Sequence, residues 1–370
     1  MTPSLTAEQV LARRMRNLAL HRRDGIRPST VAEVMTWFGA MQAQDLASAL
    51  FSLATRLDAT RSQIEAALER GEALRTWPMR GTLHLVPSRD AAWMLEVMGE
   101  RPLAGARGRR ERLGLSEADA ERATDVLGSA LAGGGRLTRA ECVAVLERAG
   151  ISAAGQRAYH LLRYASQRGV TCIAPDVAGE QTFVLLGEWA PQPARPSRDE
   201  ALATVAVRYF RSHGPTSRQD LAGWTGMTAA DTKRGIAAAG DLLEPVWVDG
   251  REMVRATGDA PAPAPSEVDD EVVVLPGFDE YLLGYKDRSL MLGTPDMAAV
   301  VPGCNGVFRP TVVRAGRVVA TWKKRSSRSR PAVEVQPLRE ISPDERTLVD
   351  RAFKPYSHFV GEPVDVRWPS

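Results

Sequence analysis

A helix-start signal of the form Ser/Thr-x-x-Glu/Gln/Asp recurs along this chain, in groups that each end in a pair of short alternating segments. The pattern is a strong constraint. A hydroxyl at the N-cap and an acid or amide three residues on satisfy two orphan backbone N–H groups reciprocally, so each occurrence marks where a helix begins. Thr6-x-x-Gln9, Thr30-x-x-Glu33 and Thr60-x-x-Gln63 predict three helices, the first running to about residue 23, and residues 74–86 read as a hairpin turning at Arg80-Gly81. Ser116-x-x-Asp119 and Thr138-x-x-Glu141 open two more, followed by a helix over 153–168 and a hairpin over 170–186. A third copy has helices over 198–213, 217–224 and 228–239 with strands around 242–248 and 252–255. Helices followed by a small hairpin make a winged helix, whose third helix suits a major groove while the wing contacts phosphates.

After Thr257 the run Ala260-Pro261-Ala262-Pro263-Ala264-Pro265 reads as a stiff extended linker. Beyond it, alternation predicts strands over 271–275, 306–313, 317–322 and 332–338 and one helix over 342–353. The expected class is α+β, with three tandem winged-helix modules and a β-rich, barrel-like domain at the C-terminal end. The expected boundaries are 1–112, 113–195, 196–257 and 258–370.

Hydrophobic and charged contents of 44% and 25% are ordinary for a soluble protein. No apolar run approaches the roughly 18 residues that span a bilayer, and residues 1–4 lead into an Arg-rich helix without a signal-peptide core, so a cytoplasmic protein with no membrane role is expected. Cys142, Cys172 and Cys304 are too scattered to predict a disulfide framework or a zinc site. Net charge is only +3, but the basic residues cluster. Arg13, Arg14, Arg16, Arg22 and Arg23 form one group, and Arg101, Arg107, Arg109, Arg110 and Arg112 a second. Lys323, Lys324, Arg325, Arg328 and Arg330 form a third, in a Ser-rich segment expected to be an exposed loop. Each cluster alone is an ordinary solvated face; three together favour a polyanionic partner.

Chemistry has few places to sit. No phosphate-binding Gly loop, zincin motif, nucleophile elbow or Cys-His pairing is present, so no metal and no nucleotide cofactor is expected. What stands out is Gln42-Ala43-Gln44-Asp45, two long amides set beside an apolar pattern, where they either cap a chain reversal or present their amides in a cleft. Neutral amides are poor general bases. They suffice when the leaving group is already good, as with guanine alkylated at N7, whose positive charge lets the glycosidic bond break toward an oxocarbenium ion. One amide can then orient water while the other holds that water or the sugar.

Gln42-Ala43-Gln44-Asp45, the hairpin sequence from Trp77 to Val86, and the segment Leu275-Pro276-Gly277-Phe278-Asp279-Glu280-Tyr281-Leu282-Leu283-Gly284-Tyr285-Lys286-Asp287-Arg288, in this order, resemble the AlkZ family of winged-helix DNA glycosylases. The resemblance covers most of the chain. It implies a C-shaped array of three winged-helix modules, a C-terminal β domain, and monofunctional hydrolysis of N7-alkylguanine from damaged double-stranded DNA by a monomer. It extends to unhooking interstrand crosslinks made by bifunctional alkylating natural products, in repair or self-resistance. The family motif is Gln, aliphatic, Gln, with Ala43 in the middle place; carried over, Gln42 and Gln44 take the catalytic places.

Arg80 at the hairpin tip is expected to reach phosphate, with Lys323, Lys324 and Arg325 as further DNA contacts. His84 either faces a DNA channel or packs internally. Asp45 is an N-cap or a sugar-binding group, and Asp279, Glu280, Tyr281, Lys286, Asp287 and Arg288 form a substrate wall or ion pairs between domains. Trp77 and Trp93 stack on a base or fill the core. The rival reading is a non-enzymatic winged-helix transcriptional regulator with a preferred site and a symmetric dimer. A DNA scaffold with a structural Gln pair is a third.

Overall fold

Capping chemistry sets most helix starts where the sequence places them. The computed structural model describes residues 4–21, 26–190, 195–259, 261, 271–325 and 330–369. Reciprocal capping boxes open the helices Ala7–Asn17, Arg61–Glu69, Glu117–Leu131, Arg139–Arg148, Arg198–His213 and Arg218–Thr225. At Thr30 the box is offset, because the Glu33 carboxylate accepts from the N–H and hydroxyl of Ser29 instead of from Thr30. The first helix is shorter than expected. It stops at Asn17, capped by Leu18, and Ala19 turns into the left-handed region at φ 54°. Arg22, Arg23, Arg328 and most of the Ala-Pro run lie outside the described residues.

The hairpins share one turn geometry. Registers pair Met79 with Thr82, Val177 with Glu180, Val248 with Arg251 and Arg314 with Arg317, leaving two residues at each tip. At every tip both residues have positive φ and the second is glycine: Arg80-Gly81, Ala178-Gly179, Asp249-Gly250 and Ala315-Gly316. That is the type I′ turn, whose twist matches the flanking strands. In the first two hairpins the register also slips at a proline, Pro78 or Pro175, which has no N–H to give the ladder.

These two hairpins are not freestanding. Arg75 pairs with Ile173, joining Ala73–Met79 to Thr171–Val177 in a six-stranded sheet that ends with Met41–Gln42 on one edge and Arg136–Thr138 on the other. Ser4–Leu5 runs parallel to Leu243–Val248, which pairs with Arg251–Ala256. The five-stranded C-terminal sheet follows the order Val272–Leu275, Thr311–Arg314, Arg317–Arg325, Ala332–Pro337, Asp365–Arg367. The expected strand over 306–313 begins only at Thr311. Lys323, Lys324 and Arg325 lie on a strand, not in a loop.

Cores are shared across distant segments. One buries Phe38, Leu50, Phe51 and Leu85 with Leu275, Trp322, Val335 and Phe359, so the N-terminal helices pack directly on the C-terminal sheet. A second joins Leu74, Val86 and Trp93 to Tyr209, Phe210 and Trp224. A third joins Trp77 and Leu83 to Leu127, Leu161 and Phe183. The first hairpin thus contributes to all three, which fixes its position from several sides at once.

Across the first interface runs a buried ion pair. The Arg56 guanidinium donates to both Asp279 oxygens at 2.9 and 3.1 Å, Ser52 donates to the same carboxylate at 2.6 Å, and Arg56 also donates to the Leu18 carbonyl. Removing one partner strands the other charge in the core. Asp279→Ala is expected to cost about 3–5 kcal/mol of stability, whereas Glu65→Ala, which breaks the exposed Arg61–Glu65 pair, costs about 0.5 kcal/mol or less. Denaturant midpoints of the two variants check this; equal shifts contradict it.

Candidate active site

The Gln pair is presented by an edge strand. Met41 and Gln42 pair antiparallel with Leu85 and His84, and the Ala43 N–H continues the ladder to the Leu83 carbonyl at 2.8 Å. Side chains alternate along a strand, so Met41 and Ala43 point into the core, where both are buried, while Gln42 and Gln44 share the opposite face. Packing at Ala43 therefore aims the amides on either side of it. Asp45 follows as N-cap of the helix Leu46–Leu57, accepting from the Ser48 N–H at 3.2 Å.

The two amides differ in freedom. Gln44 is exposed, and its Oε1 accepts from the Leu83 N–H at 3.3 Å, which leaves its NH₂ as the available donor. Gln42 is half-buried, and its side-chain amide has no hydrogen-bond partner among the described residues. Its backbone is held firmly. The Gln42 N–H donates to Glu280 Oε1 at 3.1 Å, and Glu280 Oε2 accepts from Trp224 Nε1 at 2.9 Å and lies 3.4 Å from His213 Nε2. Burial opposes the Glu280 charge, but His213 and the N–H donors of Trp224 and Gln42 outweigh it and hold the carboxyl below the usual range. His213 is itself stacked on Tyr209 at 4.7 Å.

Residues 279–285 are largely buried and act as a clasp, with Lys286 and Asp287 exposed at its end. Besides Asp279 and Glu280, the Tyr209 hydroxyl donates to the Gly284 carbonyl and the Tyr285 hydroxyl to the His213 carbonyl. The buried Asp220 accepts from the N–H groups of Lys286 and Asp287, and Arg14 stacks 4.2 Å from the Tyr285 ring. Arg288 donates to the Leu282 carbonyl. Trp77 and Trp93 are core residues.

His84 does not reach a channel. It is fully buried, because Arg80 and Glu280 cover the face that alternation assigns to it. Its Nδ1 donates to the Thr82 carbonyl at 2.8 Å, and its Nε2 accepts from Arg80 Nη2 at 3.3 Å. Burial and the Arg80 charge push its pKa down to about 3, so the ring is neutral and serves to aim the exposed Arg80. Arg80 is placed at φ 53°, in a region that side chains other than glycine pay roughly 1–2 kcal/mol to occupy.

The basic clusters divide. Arg13 and Arg16 pair with Asp259, and Arg14 is buried on the Pro215 carbonyl. Arg107 pairs with Glu111, and Arg110 with Glu117. Lys323 and Arg325 both pair with Glu334, and all three residues 323–325 are exposed. Thus much of the charge expected to meet DNA is spent within the fold. The site gathers Gln42, Gln44, His84 and Arg80; Lys323, Lys324 and Arg325 sit on the C-terminal sheet. Sequence reading missed His213 and Trp224, whose only signal is a His and a Trp on helices of the third repeat.

The thiols of Cys142 and Cys172 are buried, and burial pushes both up to about 12, which makes them inert. Among the described residues no group of three or more His, Cys, Asp or Glu is placed to hold a metal ion, and no helix is long and apolar enough to cross a membrane.

A paired-amide strand edge, held by a buried carboxylate and bordered by an arginine-tipped hairpin, is the arrangement the fold presents at the predicted site. Comparison with known proteins specifies the family. Residues 35–359 match the family model described as DNA glycosylase AlkZ-like. An interstrand DNA cross-link repair glycosylase of Streptomyces sahachiroi is 27% identical over 329 residues, 85% of this chain and 87% of that protein. The solved structure of Streptomyces sahachiroi DNA glycosylase AlkZ superposes with a TM-score of 0.81 at 25% identity, covering 99% of this chain and 100% of that one. The chain belongs to the AlkZ-like DNA glycosylase family: it is an enzyme that hydrolyses N-glycosidic bonds in DNA.

The buried neutral imidazole has a consequence for pH. Between about 6.5, where His84 titrates in the unfolded chain, and about 3, where it titrates when folded, only the unfolded state takes up its proton. Its contribution to stability is therefore complete above about pH 6.5 and is lost as pH falls through that window. His160, pushed down to about 4 by burial and by Arg110, Arg163 and Arg109, acts in the same direction. His84→Gln is expected to flatten the acid side of the stability profile by about 1.4 kcal/mol per pH unit between pH 4 and 6. An unchanged slope in denaturant titrations across that range refutes the assignment.

Proposed function

We propose that this enzyme is a monofunctional glycosylase, active as a monomer, that removes N7-alkylguanine from duplex DNA and unhooks interstrand crosslinks formed through that position. The cross-link repair glycosylase of Streptomyces sahachiroi supports the substrate class by likeness. The observation that carries the reading is the Gln42 amide, unpartnered among the described residues and aimed from the same strand face as Gln44. On this reading the helix–hairpin units within 1–112, 113–195 and 196–257 are winged-helix modules curved around the duplex, with the β-rich region 258–370 closing one side.

The chemistry follows from charge. An N7-alkylated guanine leaves as a neutral base, so its departure needs no protonation and the barrier lies in the developing sugar cation. The Gln42 carbonyl orients the attacking water toward C1′ and offers the negative end of its dipole to the oxocarbenium ion; the Gln44 NH₂ donates to that water or to the deoxyribose. The buried Glu280 carboxylate, behind the Gln42 backbone, adds a fixed negative charge on the same side. Water adds to C1′, its proton passes to solvent, and the glycosidic electron pair leaves with the base, giving an abasic site. With no amine nucleophile involved, no strand cleavage accompanies release. A crosslinked base stays tethered to the other strand and resists flipping, which suits an open cleft over an enclosed pocket.

Release of N7-methylguanine from alkylated duplex by the purified protein is expected to fall by about 10²-fold or more in Gln42→Ala, the loss typical of one oriented transition-state dipole. Gln44→Ala is expected to fall by less, because its partner Leu83 N–H finds water. Binding of the same duplex by both variants stays near wild type. Absence of release by the wild type from this adduct and from a crosslinked duplex, under conditions where it binds, overturns the proposal.

A further inference from the structure

Beside the hairpin tip lies a cleft of about 420 Å³ lined by Arg80, Arg101, Arg109, Arg163 and His160 and by no acidic residue. Four segments distant in sequence build it: the first hairpin, the helices around 100–112, the helix Gln156–Gln167, and Gly226 at the end of Arg218–Thr225. None of the four arginines forms an ion pair among the described residues. Arg80 donates to His84, Arg101 to the Gly226 carbonyl at 3.0 Å, and Arg163 to Gln167 Oε1 at 3.1 Å, all neutral partners. The Arg109 side chain makes no hydrogen bond among the described residues. Most other cations of the molecule's clusters have found carboxylates, so four unneutralised guanidinium groups on one concavity are a departure from the rest of the fold.

The packing shows a built site. Arg163 lies so close over Gly81 that a Cβ there would come within 2.5 Å of its Nη2, and a Cβ on Gly226 would come within 3.1 Å of Arg80 Cγ. Both glycines have positive φ, Gly81 in the type I′ turn and Gly226 at the C-cap of Arg218–Thr225. An independent observation points to a ligand: His160, only 6% exposed and lining the cleft, has its Nε2 buried without a hydrogen-bond partner. A buried ring nitrogen in that condition is destabilising unless something binds it.

We propose that this cleft is a phosphodiester-binding site in which Arg80, Arg101, Arg109 and Arg163 hold one backbone phosphate of the lesion-bearing strand. The assignment to that strand rests on the glycosylase reading, since His84 links Arg80 to the strand position opposite Gln42. Gln42 and His84 are neighbours across the ladder, so one imidazole and one guanidinium separate the amides from the cleft. Arginine suits the task because its planar fork donates two hydrogen bonds to phosphate oxygens at once. With a phosphate seated, His160 Nε2 gains an anionic neighbour and the four charges their counterion. The phosphate fixes the register of the strand so that C1′ meets the water on Gln42.

The test uses the full chain and fluorescence anisotropy on an undamaged duplex, with affinity followed against KCl concentration. The double variant Arg109→Ala/Arg163→Ala is expected to lower the slope of log affinity against log salt by about 0.9, the value for one DNA phosphate that the protein no longer neutralises. Arg148→Ala, an exposed arginine outside the cleft, should leave the slope unchanged, and thermal melting verifies that every variant folds. A slope unchanged in the double variant, or reduced as much by Arg148→Ala, overturns the site.

Single methylphosphonates placed along an alkylated duplex then locate the occupant. Wild-type affinity should drop at one position within two nucleotides of the lesion, and the double variant should show no further drop there. Independent losses at every position overturn the placement. Orthophosphate displacing DNA from the wild type more than sulfate does at equal ionic strength, and not from the double variant, would assign the cleft to free phosphate and overturn the DNA occupant. Because the salt slope is measured without base release, a protein that excises nothing but shows the 0.9 change retains the phosphate site while the glycosylase substrate reading falls.

Discussion

The Glu280 carboxylate is the interaction on which the arrangement of this site depends. It is an anion of the C-terminal region with almost no solvent contact, and it is kept charged by three groups from two other parts of the chain: the Gln42 backbone N–H on the edge strand, and the Trp224 indole and His213 ring in the third repeat. A buried charge tolerates little displacement of its partners, because each lost hydrogen bond re-exposes the cost of desolvation. The constraint therefore acts on all three segments together. Edge strand, third repeat and C-terminal domain cannot shift independently without leaving a carboxylate unpaired in the core. In the role proposed for Gln42 that rigidity matters more than for an ordinary catalytic acid, since an amide contributes only a dipole, and a dipole works only when it is correctly aimed.

The same logic explains the first hairpin. Its two faces feed different cores, Leu74 and Val86 into one and Trp77 and Leu83 into another, and its outer strand carries the Gln pair on the edge. Register is thus specified from both sides, and the slip at Pro78 is absorbed inside the strand without reaching the ladder to Met41 and Gln42. At the tip the fold accepts a strained residue. Ala178, Asp249 and Ala315 occupy the equivalent place in the other hairpins at similar φ, so the turn sets the backbone and Arg80 adds a guanidinium at the tip.

Much of this was legible in the sequence, and the reasons differ by level. Capping boxes are local chemistry, so Thr6, Thr60, Ser116, Thr138, Ser197 and Ser217 each open a helix in the structure. Two-residue turns ending in glycine are equally local. The Gln pair stood out because polar amides beside an apolar pattern need an explanation. What the sequence hides is pairing at long range. Nothing local says that Asp259 neutralises Arg13 and Arg16, that Glu334 holds Lys323 and Arg325, or that Glu280 lies under Gln42. A run of basic residues therefore overstates the charge a surface offers. Conversely, Arg80, Arg101, Arg109 and Arg163 belong to no single run, and only the fold brings them to one concavity. His84 shows the same limit at one residue: alternation gives the face but not what covers it.

These electrostatics bear on why two neutral amides suit the reactive role proposed for Gln42 and Gln44. A carboxylate in place of Gln42 would stand close to Glu280, and two anions so near one another in a partly buried site would push one of them to take a proton. On the proposed reading that proton would lie where water must attack C1′ and would weaken the dipole offered to the oxocarbenium ion. An amide avoids the titration altogether, with the fixed negative charge held one layer behind it and the arginines held on the far side of His84. The neutral imidazole keeps those two regions apart: it accepts from Arg80 without adding a positive charge next to the developing sugar cation. Charge is thus layered across the hairpin, negative beneath the amides and positive at the arginine-lined cleft, and on the proposed reading this layering suits a substrate whose leaving group already carries the positive charge that the site does not supply.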